Sequence, residues 1–289
     1  MPLNITLDAT MLDTFLTCPA KYDMRFKQRF VPVQKAAPLD RGTLIHIAFE
    51  HYYLALQAEK EYRDRVQLAL QAFDLAVVSD SELNDDDVNK VRSAIVTSLE
   101  VNRPLDERLE IIAVEQSFIY ELFSDEEVKI HMMGKIDLLV NDRPHYFNLP
   151  YDHKSYERDS PLTRRTNQFC NYANAVGSNY LIVNRVGLQT SIAPEKKHKR
   201  VPLAYDELFI NQWKVNVVNW IKNYYIPCFV NESFPMNDTS CNKFNRLCEY
   251  NDVCDSSGVE AKMFKLNAHF NIAEVWDVSS VLGKRKLAE

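Results

Sequence analysis

The sequence predicts an α/β fold in which a mixed sheet is flanked by helices. Its composition is that of an ordinary globular protein, because 46% of the 289 residues are hydrophobic and 26% are charged. The predicted elements run in the order helices, consecutive strands, then a helix and a further strand, which favours a mixed sheet covered by helices. The strand assignment rests mainly on residues 126–140, where apolar side chains alternate with other residues.

The first third of the chain is predicted to be mostly helical. A short helix containing Cys18 is expected within residues 8–30. Residues 41–60 carry apolar side chains at helical spacing and predict a longer helix. Residues 61–105 continue as helix, interrupted by the acidic stretch 80–87, which we interpret as a solvated loop.

The middle of the chain supplies the predicted sheet. The predicted strands cover residues 110–121, 126–140, 145–155 and 179–190. A turn at 141–144 joins the second strand to the third, and a helix at 160–176 has Pro161 in its first turn. After the fourth strand we expect a basic loop or hairpin tip at 196–200 and a long helix at 204–225.

Glycine content and charge exclude several functions. The six glycines are never closer than ten residues, so the chain lacks the clustered glycines of a P-loop or of a dinucleotide-binding turn. The net charge of −6 gives no overall basic field. A nucleic-acid partner would therefore have to be bound by local positive charge or by bound metal ions.

The chain is expected to be cytoplasmic and not to enter a membrane. Its N-terminal residues do not resemble a secretory signal, and no apolar run approaches the roughly 18 residues of a membrane span. In a reducing compartment the six cysteines are expected to be metal ligands or buried thiols rather than disulfides.

Two predicted strands carry acidic residues that could bind a metal ion. Asp137 lies in the second strand, and Asp152 and Lys154 share one face of the third, because strand residues two apart point the same way. A short turn between the strands brings Asp137 close to Asp152. Two neighbouring carboxylates favour Mg²⁺ or Mn²⁺, and the lysine can hold a phosphate oxygen or water. An ordinary solvated strand remains an alternative for this pattern alone.

Other polar residues accompany this pattern. His46 lies in the helix at 41–60, where a histidine can equally be a core residue. Gln168 and Tyr172 share a helix face, which can equally be an ordinary polar surface. Arg164 and Arg165 precede them and could contact backbone phosphates.

The order of these motifs resembles the RecB-type branch of the PD-(D/E)xK nuclease superfamily. That branch has a helical His, a Gly-x-x-Asp strand, an Asp/Glu-x-Lys strand and a Gln-x-x-x-Tyr helix. They match His46, Gly134–Asp137, Asp152–Lys154 and Gln168–Tyr172. The resemblance implies a restriction-endonuclease-like mixed sheet with a helical N-terminal insertion. It also implies that the Gln-x-x-x-Tyr pair positions the DNA strand.

The resemblance also implies the metal ligands and one departure from the family pattern. Asp137 and Asp152 would hold Mg²⁺ or Mn²⁺ with His46 as a further ligand, and Lys154 would orient water and offset phosphate charge. Pro150 interrupts the apolar run that usually precedes the second acidic residue. The strand is therefore expected to begin at Tyr151 or to be bulged.

Four cysteines form a pattern of one early and three late residues. Cys18 is followed by the run Cys241-x6-Cys248-x5-Cys254. Four thiolates can hold zinc or a [4Fe–4S] cluster, and scattered buried thiols are the alternative. The pattern resembles the iron–sulfur subgroup of the same nucleases, which includes AddB subunits and CRISPR-adaptation exonucleases. The resemblance implies a [4Fe–4S] lobe that joins the two termini.

Two further cysteines and one basic cluster are the last residues considered for a role in the core or in DNA binding. Cys170 and Cys228 match no ligand position and are expected in the core. The densest basic cluster could contact DNA or be a solvated loop, and it comprises Lys196, Lys197, Lys199 and Arg200.

We therefore expect one nuclease domain over residues 1–289. It would comprise a helical segment at 41–105, a catalytic sheet and helix at 110–190, and a cluster-binding region of Cys18 with 234–254. The expected activity is end-directed cleavage of single-stranded or frayed DNA in recombination, repair, phage DNA processing or CRISPR adaptation, with partner proteins from those pathways. The alternatives are a non-catalytic DNA-binding or scaffolding subunit and a zinc-stapled RNA-processing enzyme.

Overall fold

The computed structural model describes residues 2–34, 36–142, 146–243 and 246–274. Its strands are β1 Leu3–Asp8, β2 Phe30–Pro32, β3 Leu109–Ser124, β4 Val128–Asp142, β5 Tyr146–Tyr156, β6 Tyr180–Gly187, β7 His198–Ala204, β8 Asn242–Lys243, β9 Arg246–Leu247 and β10 Phe270–Ile272. Its α-helices are α1 Ala9–Thr17, α2 Pro19–Tyr22, α3 Ala37–Gln57, α4 Tyr62–Asp80, α5 Asp85–Asp106, α6 Asn167–Val176, α7 Pro194–Lys197, α8 Glu207–Trp220, α9 Ile226–Val230, α10 Asn251–Cys254 and α11 Val259–His269. Two π-helical segments, Asp23–Lys27 and Ile221–Tyr225, and a 3-10 turn, Asp238–Ser240, complete the structure.

The chain divides into two compact units. The first unit comprises Met1–Gln34, Ile119–Met133 and Asn211–Glu289, and the second comprises Lys35–Phe118 and Gly134–Ile210. The boundary falls within β3, β4 and α8. The single nuclease domain over residues 1–289 stays a prediction.

The second unit contains a mixed sheet. The end of β4 pairs antiparallel with β5, β5 pairs parallel with β6, and β6 pairs antiparallel with β7. The parallel β5–β6 pair is joined by the crossover helix α6, as parallel strands require. The prediction of a mixed α/β fold with a helix-flanked sheet is confirmed.

The helices α3, α4 and α5 supply much of the core of the second unit. Their apolar residues recur every three to four positions and pack with side chains from the sheet strands. Buried members of this core include Leu44, Phe49, Tyr52, Phe73, Ile95, Leu99, Leu138, Val140, Leu149 and Val186. This packing fixes α3 against β5, and each carries candidate site residues.

The first unit joins distant parts of the chain through short strands. β1 pairs parallel with the beginning of β4, where Leu3 lies opposite Val128. β2 pairs antiparallel with β10, where Phe30 lies opposite Ile272. A small core of Met24, Phe30, Tyr250, Val253, Leu266 and Phe270 packs around this second pair.

Several element boundaries differ from the sequence prediction. The acidic stretch is a loop only from Ser81 to Asn84, because Asn84 caps α5 by accepting a hydrogen bond from the backbone of Asp87. The helix predicted from residue 160 begins at Asn167, so Pro161 lies outside it. Strands β1 and β7 were not predicted. The turn predicted at 141–144 lies partly outside the described residues.

The basic stretch at 196–200, predicted as a loop or hairpin tip, is only partly so, because its first two residues lie in the connection between the antiparallel strands β6 and β7 and its last three belong to β7. Residues Pro194–Lys197 form α7, and His198 begins β7, which pairs with β6. Among the helices of the described chain, none is both long enough and apolar enough to cross a bilayer.

Candidate active site

Asp137 and Asp152 lie on neighbouring antiparallel strands. The β4–β5 register pairs Leu138 with Tyr151, and one further step places Asp137 opposite Asp152. Residues directly opposite in an antiparallel pair share a face of the sheet. Asp137 is 7% exposed and Asp152 is fully buried. The structure therefore brings the two predicted carboxylates together in a site with little water.

Burial and mutual repulsion give the two carboxylates different pKa values. Burial raises the pKa of Asp152 against the lowering effect of Lys154, and the charge of Asp137 raises it further. Burial also disfavours ionised Asp137, but the charge and hydrogen bond of His46 outweigh it and lower the pKa of Asp137. Asp137 is thus an anion, while Asp152 lacks sufficient positive charge nearby to ionise readily.

His46 reaches this pair from α3. Its Nδ1 lies 3.5 Å from the Oδ1 of Asp137, and about a third of its side chain is exposed. Burial lowers the pKa of His46, but the neighbouring Asp137 outweighs this and raises it to about 9. The predicted helical histidine is therefore adjacent to the predicted strand carboxylate.

Lys154 is held by a chain of hydrogen bonds that runs into α6. Its Nζ lies 3.1 Å from Asp152 Oδ2 and donates a hydrogen bond of 2.9 Å to Gln168 Oε1. Gln168 Nε2 donates to the Tyr172 hydroxyl at 3.0 Å, and that hydroxyl donates to the Lys135 carbonyl at 2.5 Å. We call the Lys154–Gln168–Tyr172–Lys135 chain the lysine relay.

Gly134 leaves room for the ring of Phe118 beside the strand that carries Asp137. A Cβ at this position would lie 2.6 Å from the ring of Phe118 and 3.4 Å from the ring of Tyr172. The two rings pack edge to face, with centroids 5.9 Å apart. The glycine of the Gly-x-x-Asp motif is therefore a packing requirement for Phe118, whose ring in turn packs against Tyr172.

Glu115 is a site residue that sequence reasoning missed. One of its carboxylate oxygens, one oxygen of Asp137 and a ring nitrogen of His46 all lie within 4.8 Å of one another. Glu115 also forms an ion pair with Lys135. Its place in a predicted strand ahead of the Asp137 strand was the only indication available from the sequence.

His153 lies between Asp152 and Lys154 in β5. Its ring stacks on Tyr53 at 5.6 Å and its Nδ1 is 3.0 Å from the Asn184 side-chain amide. Burial lowers the pKa of His153 to about 3, so the ring is neutral. Its backbone N–H donates a hydrogen bond of 2.7 Å to Asp137 Oδ2. This contact orients Asp137 and depends on the strand rather than on the imidazole.

Two of the predicted phosphate-binding side chains are largely buried. Arg200 forms an ion pair with the buried Asp106 and donates to the Tyr53 hydroxyl at 3.0 Å. Lys197 is 7% exposed and donates to the Gln189 carbonyl at 2.8 Å. Both side chains are therefore structural, and their assignment to DNA binding is wrong.

The other four basic candidates are exposed. Arg164 donates to the Ala204 carbonyl at 3.2 Å and lies over the ring of Phe209. Lys199 lies 3.6 Å from Asp159. Surface ion pairs of this kind are weak, so Lys199 stays available to other anions. The remaining two candidates are Arg165 and Lys196.

The four pattern cysteines are neighbours within the first unit, and all are free thiols. Burial raises the pKa of Cys254, and the charges of Cys18, Cys248 and Cys241 raise it further. The Cys248 amide donates to the Cys241 carbonyl at 2.7 Å. Nearby, the Asn237 side chain donates to the Thr17 carbonyl at 2.8 Å, which links the early and late segments.

The sequence was compared with models of known protein families. The model of the PD-(D/E)XK nuclease superfamily matches residues 6–255. The chain belongs to the PD-(D/E)XK nuclease superfamily. No curated protein sequence matches the chain significantly.

Two solved structures resemble this PD-(D/E)XK protein. One is a candidate exonuclease from Eubacterium rectale, with 11% identity, a TM-score of 0.48, and coverage of 84% of this chain and 89% of that chain. The other is a protein designated SSO0001, with 12% identity, a TM-score of 0.33, and coverage of 78% and 84%.

PD-(D/E)XK nucleases use divalent metals, and the residues of this site fit such an ion. Asp152 is fully buried, and while its Oδ2 forms an ion pair with Lys154, its Oδ1 has no hydrogen-bond partner among the described residues. Unpartnered buried carboxylate oxygens are costly unless a cation neutralises them. Carboxylates together with one imidazole are also ligands that suit Mg²⁺ or Mn²⁺.

Proposed function

We propose that this PD-(D/E)XK protein is a metal-dependent deoxyribonuclease that degrades single-stranded or frayed DNA from its ends. The observation that carries the proposal is the placement of Lys154 3.1 Å from the buried Asp152, on the strand next to Asp137, which His46 contacts from α3. Acidic ligands and an adjacent lysine are the groups that phosphodiester hydrolysis requires.

Each residue has a distinct part in this proposal. Asp137, Asp152 and His46 would hold Mg²⁺ or Mn²⁺. A divalent ion at this site would supply an activated water and stabilise charge on the leaving oxygen. Lys154 orients water and offsets phosphate charge. The relay through Gln168 fixes the Lys154 ammonium at one position before the reaction begins. The entropy cost of positioning this group is therefore not added to the reaction barrier.

DNA contacts are proposed for exposed cations near α6 and β7. Arg164 and Arg165 precede α6, and Lys196 and Lys199 flank the start of β7. All four side chains are exposed, as contact with backbone phosphates requires.

The decisive experiment is digestion of end-labelled single- and double-stranded DNA in Mn²⁺, with and without chelator. We expect chelator-sensitive loss of label from ends for the wild-type chain and no cutting by Asp137→Ala or Asp152→Asn. Asp238→Asn, in the first unit, serves as the matched control. DNA binding without cutting in any divalent metal would favour the non-catalytic DNA-binding or scaffolding alternative. Cutting of RNA only would favour the RNA-processing alternative.

The first unit is proposed to hold a [4Fe–4S] cluster through Cys18, Cys241, Cys248 and Cys254. The charges of Cys18, Cys248 and Cys241 raise the pKa of Cys254, so these thiols are close neighbours. None of them forms a disulfide bond, and both observations support this assignment.

Iron analysis of anaerobically purified protein tests the cluster. We expect about four irons per chain and a brown colour. Cys18→Ala should lose the iron. Cys170→Ala should keep it, because Cys170 lies in the second unit and donates to the Arg164 carbonyl. A colourless, zinc-loaded protein would contradict the assignment.

The cellular role follows from the proposed activity. End-directed DNA degradation serves recombination, repair, phage DNA processing and CRISPR adaptation, and we propose that the chain acts in the cytoplasm with proteins of one of these pathways. Co-purification from the native host, with and without DNase treatment, would identify those partners.

A further inference from the structure

The face of α3 that carries His46 is lined by aromatic rings that all contact one side chain of the sheet. His46, Phe49 and Tyr53 are three and four residues apart, so they lie on one side of the helix. The ring of His153 packs edge to face against His46 and Phe49, with centroids 5.9 and 4.8 Å apart. It also stacks flat on Tyr53, with centroids 5.6 Å apart. The His153 ring therefore sets how this face of α3 lies on β5.

The His153 ring is held in turn by a row of polar residues that crosses three strands. The register places His153 of β5 beside Asn184 of β6, and Asn184 beside Arg200 of β7. The side-chain nitrogen of Asn184 lies 3.0 Å from His153 Nδ1 and can only donate, so Nδ1 is the acceptor of this hydrogen bond. Both residues are buried, so water does not compete for the bond. The hydrogen bond therefore fixes the plane of the imidazole.

Tyr53, which forms the flat surface against the His153 ring, is anchored as well. Its hydroxyl donates to Asp106 Oδ1 at 3.3 Å and accepts from Arg200 Nη2 at 3.0 Å. Asp106 is fully buried at the end of α5. The rings of Tyr53 and His153 are parallel to within 3°, so a rotation of either ring would break the stacking. The contact between α3 and β5 therefore has a fixed geometry on both sides.

His46 depends on this support because its own contact with the site is loose. Its Nδ1 lies 3.5 Å from Asp137 Oδ1, whereas an N–H···O hydrogen bond usually measures about 2.7–3.2 Å. About a third of the His46 side chain is exposed, so packing restrains it on one side only. A group that binds a metal ion has to be held to within about 0.5 Å by neighbours that are themselves fixed. The His153 ring is such a neighbour.

We propose that His153 is a positioning residue that fixes His46 against Asp137. Its ring can do so because Asn184 and Tyr53 fix the ring in turn. This inference rests on the proposed metal-dependent function and deepens it, since it gives a role to an imidazole that neither binds the metal nor touches the DNA. A leucine of similar size would offer no acceptor to Asn184 and no flat ring to Tyr53.

Mn²⁺ binding without DNA tests this inference, with free Mn²⁺ measured by electron paramagnetic resonance. His153→Ala should weaken binding by about tenfold, the lower end of the range for residues that orient a metal ligand. His153→Asn keeps an acceptor for Asn184 but no ring, and should weaken binding equally. His153→Phe keeps a ring against α3 but no acceptor, and should recover most of the affinity.

A double-mutant cycle decides whether His153 acts through His46. His46→Ala removes a proposed ligand and should itself weaken Mn²⁺ binding. Adding His153→Ala should then weaken binding no further, because no imidazole is left for the ring to position. A tenfold loss that persists in the His46→Ala background would overturn the inference, since His153 would then act on the strand carboxylates instead.

A matched control separates positioning from stability. Phe73→Leu alters a fully buried residue of the same core on α4, so it should lower the melting temperature and bind Mn²⁺ as the wild type does. Thermal melting in chelator checks that each variant is folded, and if His153→Ala is not, the comparison of His153→Asn with His153→Phe still decides. The inference is overturned if His153→Phe binds no better than His153→Asn, or if Phe73→Leu weakens binding as much as His153→Ala.

Failure of the proposed function gives a different result. In that case the wild-type chain neither binds Mn²⁺ nor cuts DNA, and the inference falls with it. A wild-type chain that binds Mn²⁺ and cuts DNA, beside a His153→Ala variant of unchanged affinity, overturns the His153 assignment alone.

Discussion

The lysine relay predicts that Gln168 and Tyr172 act through Lys154 rather than on the DNA strand. Tyr172→Phe removes one hydroxyl, which accepts from Gln168 and donates to the Lys135 carbonyl. A net hydrogen bond is worth about 0.5–1.5 kcal/mol, so the loss of both should destabilise the fold by about 1–3 kcal/mol. Gln168→Leu removes the acceptor of Lys154 as well as the donor to Tyr172.

We expect the loss of Gln168 to slow DNA cutting more than its effect on stability alone would suggest. Without Gln168 the Lys154 ammonium keeps only its contact with Asp152 and becomes free to rotate. A misplacement of about 1 Å at a reacting centre can cost ~10²-fold in rate. We therefore expect Gln168→Leu to lower kcat by about 10- to 100-fold with little change in KM or in DNA affinity.

Single-turnover digestion of end-labelled DNA measures the rate of cutting. Fluorescence anisotropy in Ca²⁺ measures DNA affinity separately. Gln168→Glu keeps an acceptor for Lys154 and should retain more activity than Gln168→Leu. Asn174→Ala, on the same helix but outside the relay, is the matched control.

A double-mutant cycle decides whether the relay acts through the lysine. Lys154→Ala should abolish most cutting, and adding Gln168→Leu should then change nothing further, because the two residues act as one unit. The reasoning is refuted if Gln168→Leu weakens DNA binding while kcat is unchanged, or if the two substitutions have additive effects. Either result would return these residues to the predicted role of positioning the DNA strand.

Three further predictions concern packing, DNA contacts and a buried ion pair. Gly134→Ala should lower the free energy of unfolding by about 1–3 kcal/mol, because its Cβ would overlap the ring of Phe118; urea denaturation in chelator would measure this, and unchanged stability would contradict the packing argument. Replacing both Lys196 and Lys199 by Gln should reduce the salt dependence of single-stranded DNA binding by about 0.7 in slope per lost contact; an unchanged slope would assign both side chains to solvent. Arg200→Gln should instead lower stability, measured by thermal melting, because it leaves a buried acidic partner unpaired.

The parts of the site that depend on local structure could be predicted from the sequence. Asp137 and Asp152 meet because β4 and β5 are consecutive antiparallel strands, so a period of two and a short connection suffice to place them. The position of Lys154 on the same strand face as Asp152 follows from the same period of two. Gly134 could be recognised as part of a motif, but its packing partner Phe118 lies on another strand.

The errors concern contacts between distant parts of the chain. Lys197 and Arg200 stand in a run of basic residues, which by composition is typical of a surface. Arg200 is buried because Asp106, at the end of α5, provides a buried counter-charge, and no local pattern links these two positions. Strand β1 was missed because it pairs with β4 across more than a hundred residues of sequence.

Pro150 is the residue where the family pattern and this sequence differ, and the structure explains why the site tolerates it. β5 begins at Tyr146 and continues through Pro150, which lies opposite Leu139. The register shifts before this point, where Asn148 has a φ of +49°, as expected for a bulge.

Pairing of β5 with β6 begins only at Tyr151, so at Pro150 one side of β5 is still an unpaired edge, and edges and bulges are where strands accept proline. From Asp152 to Lys154 the strand is then paired regularly with β6. The irregularity therefore ends before the residues that the chemistry requires, and the spacing of Asp152 and Lys154 on one face does not depend on it.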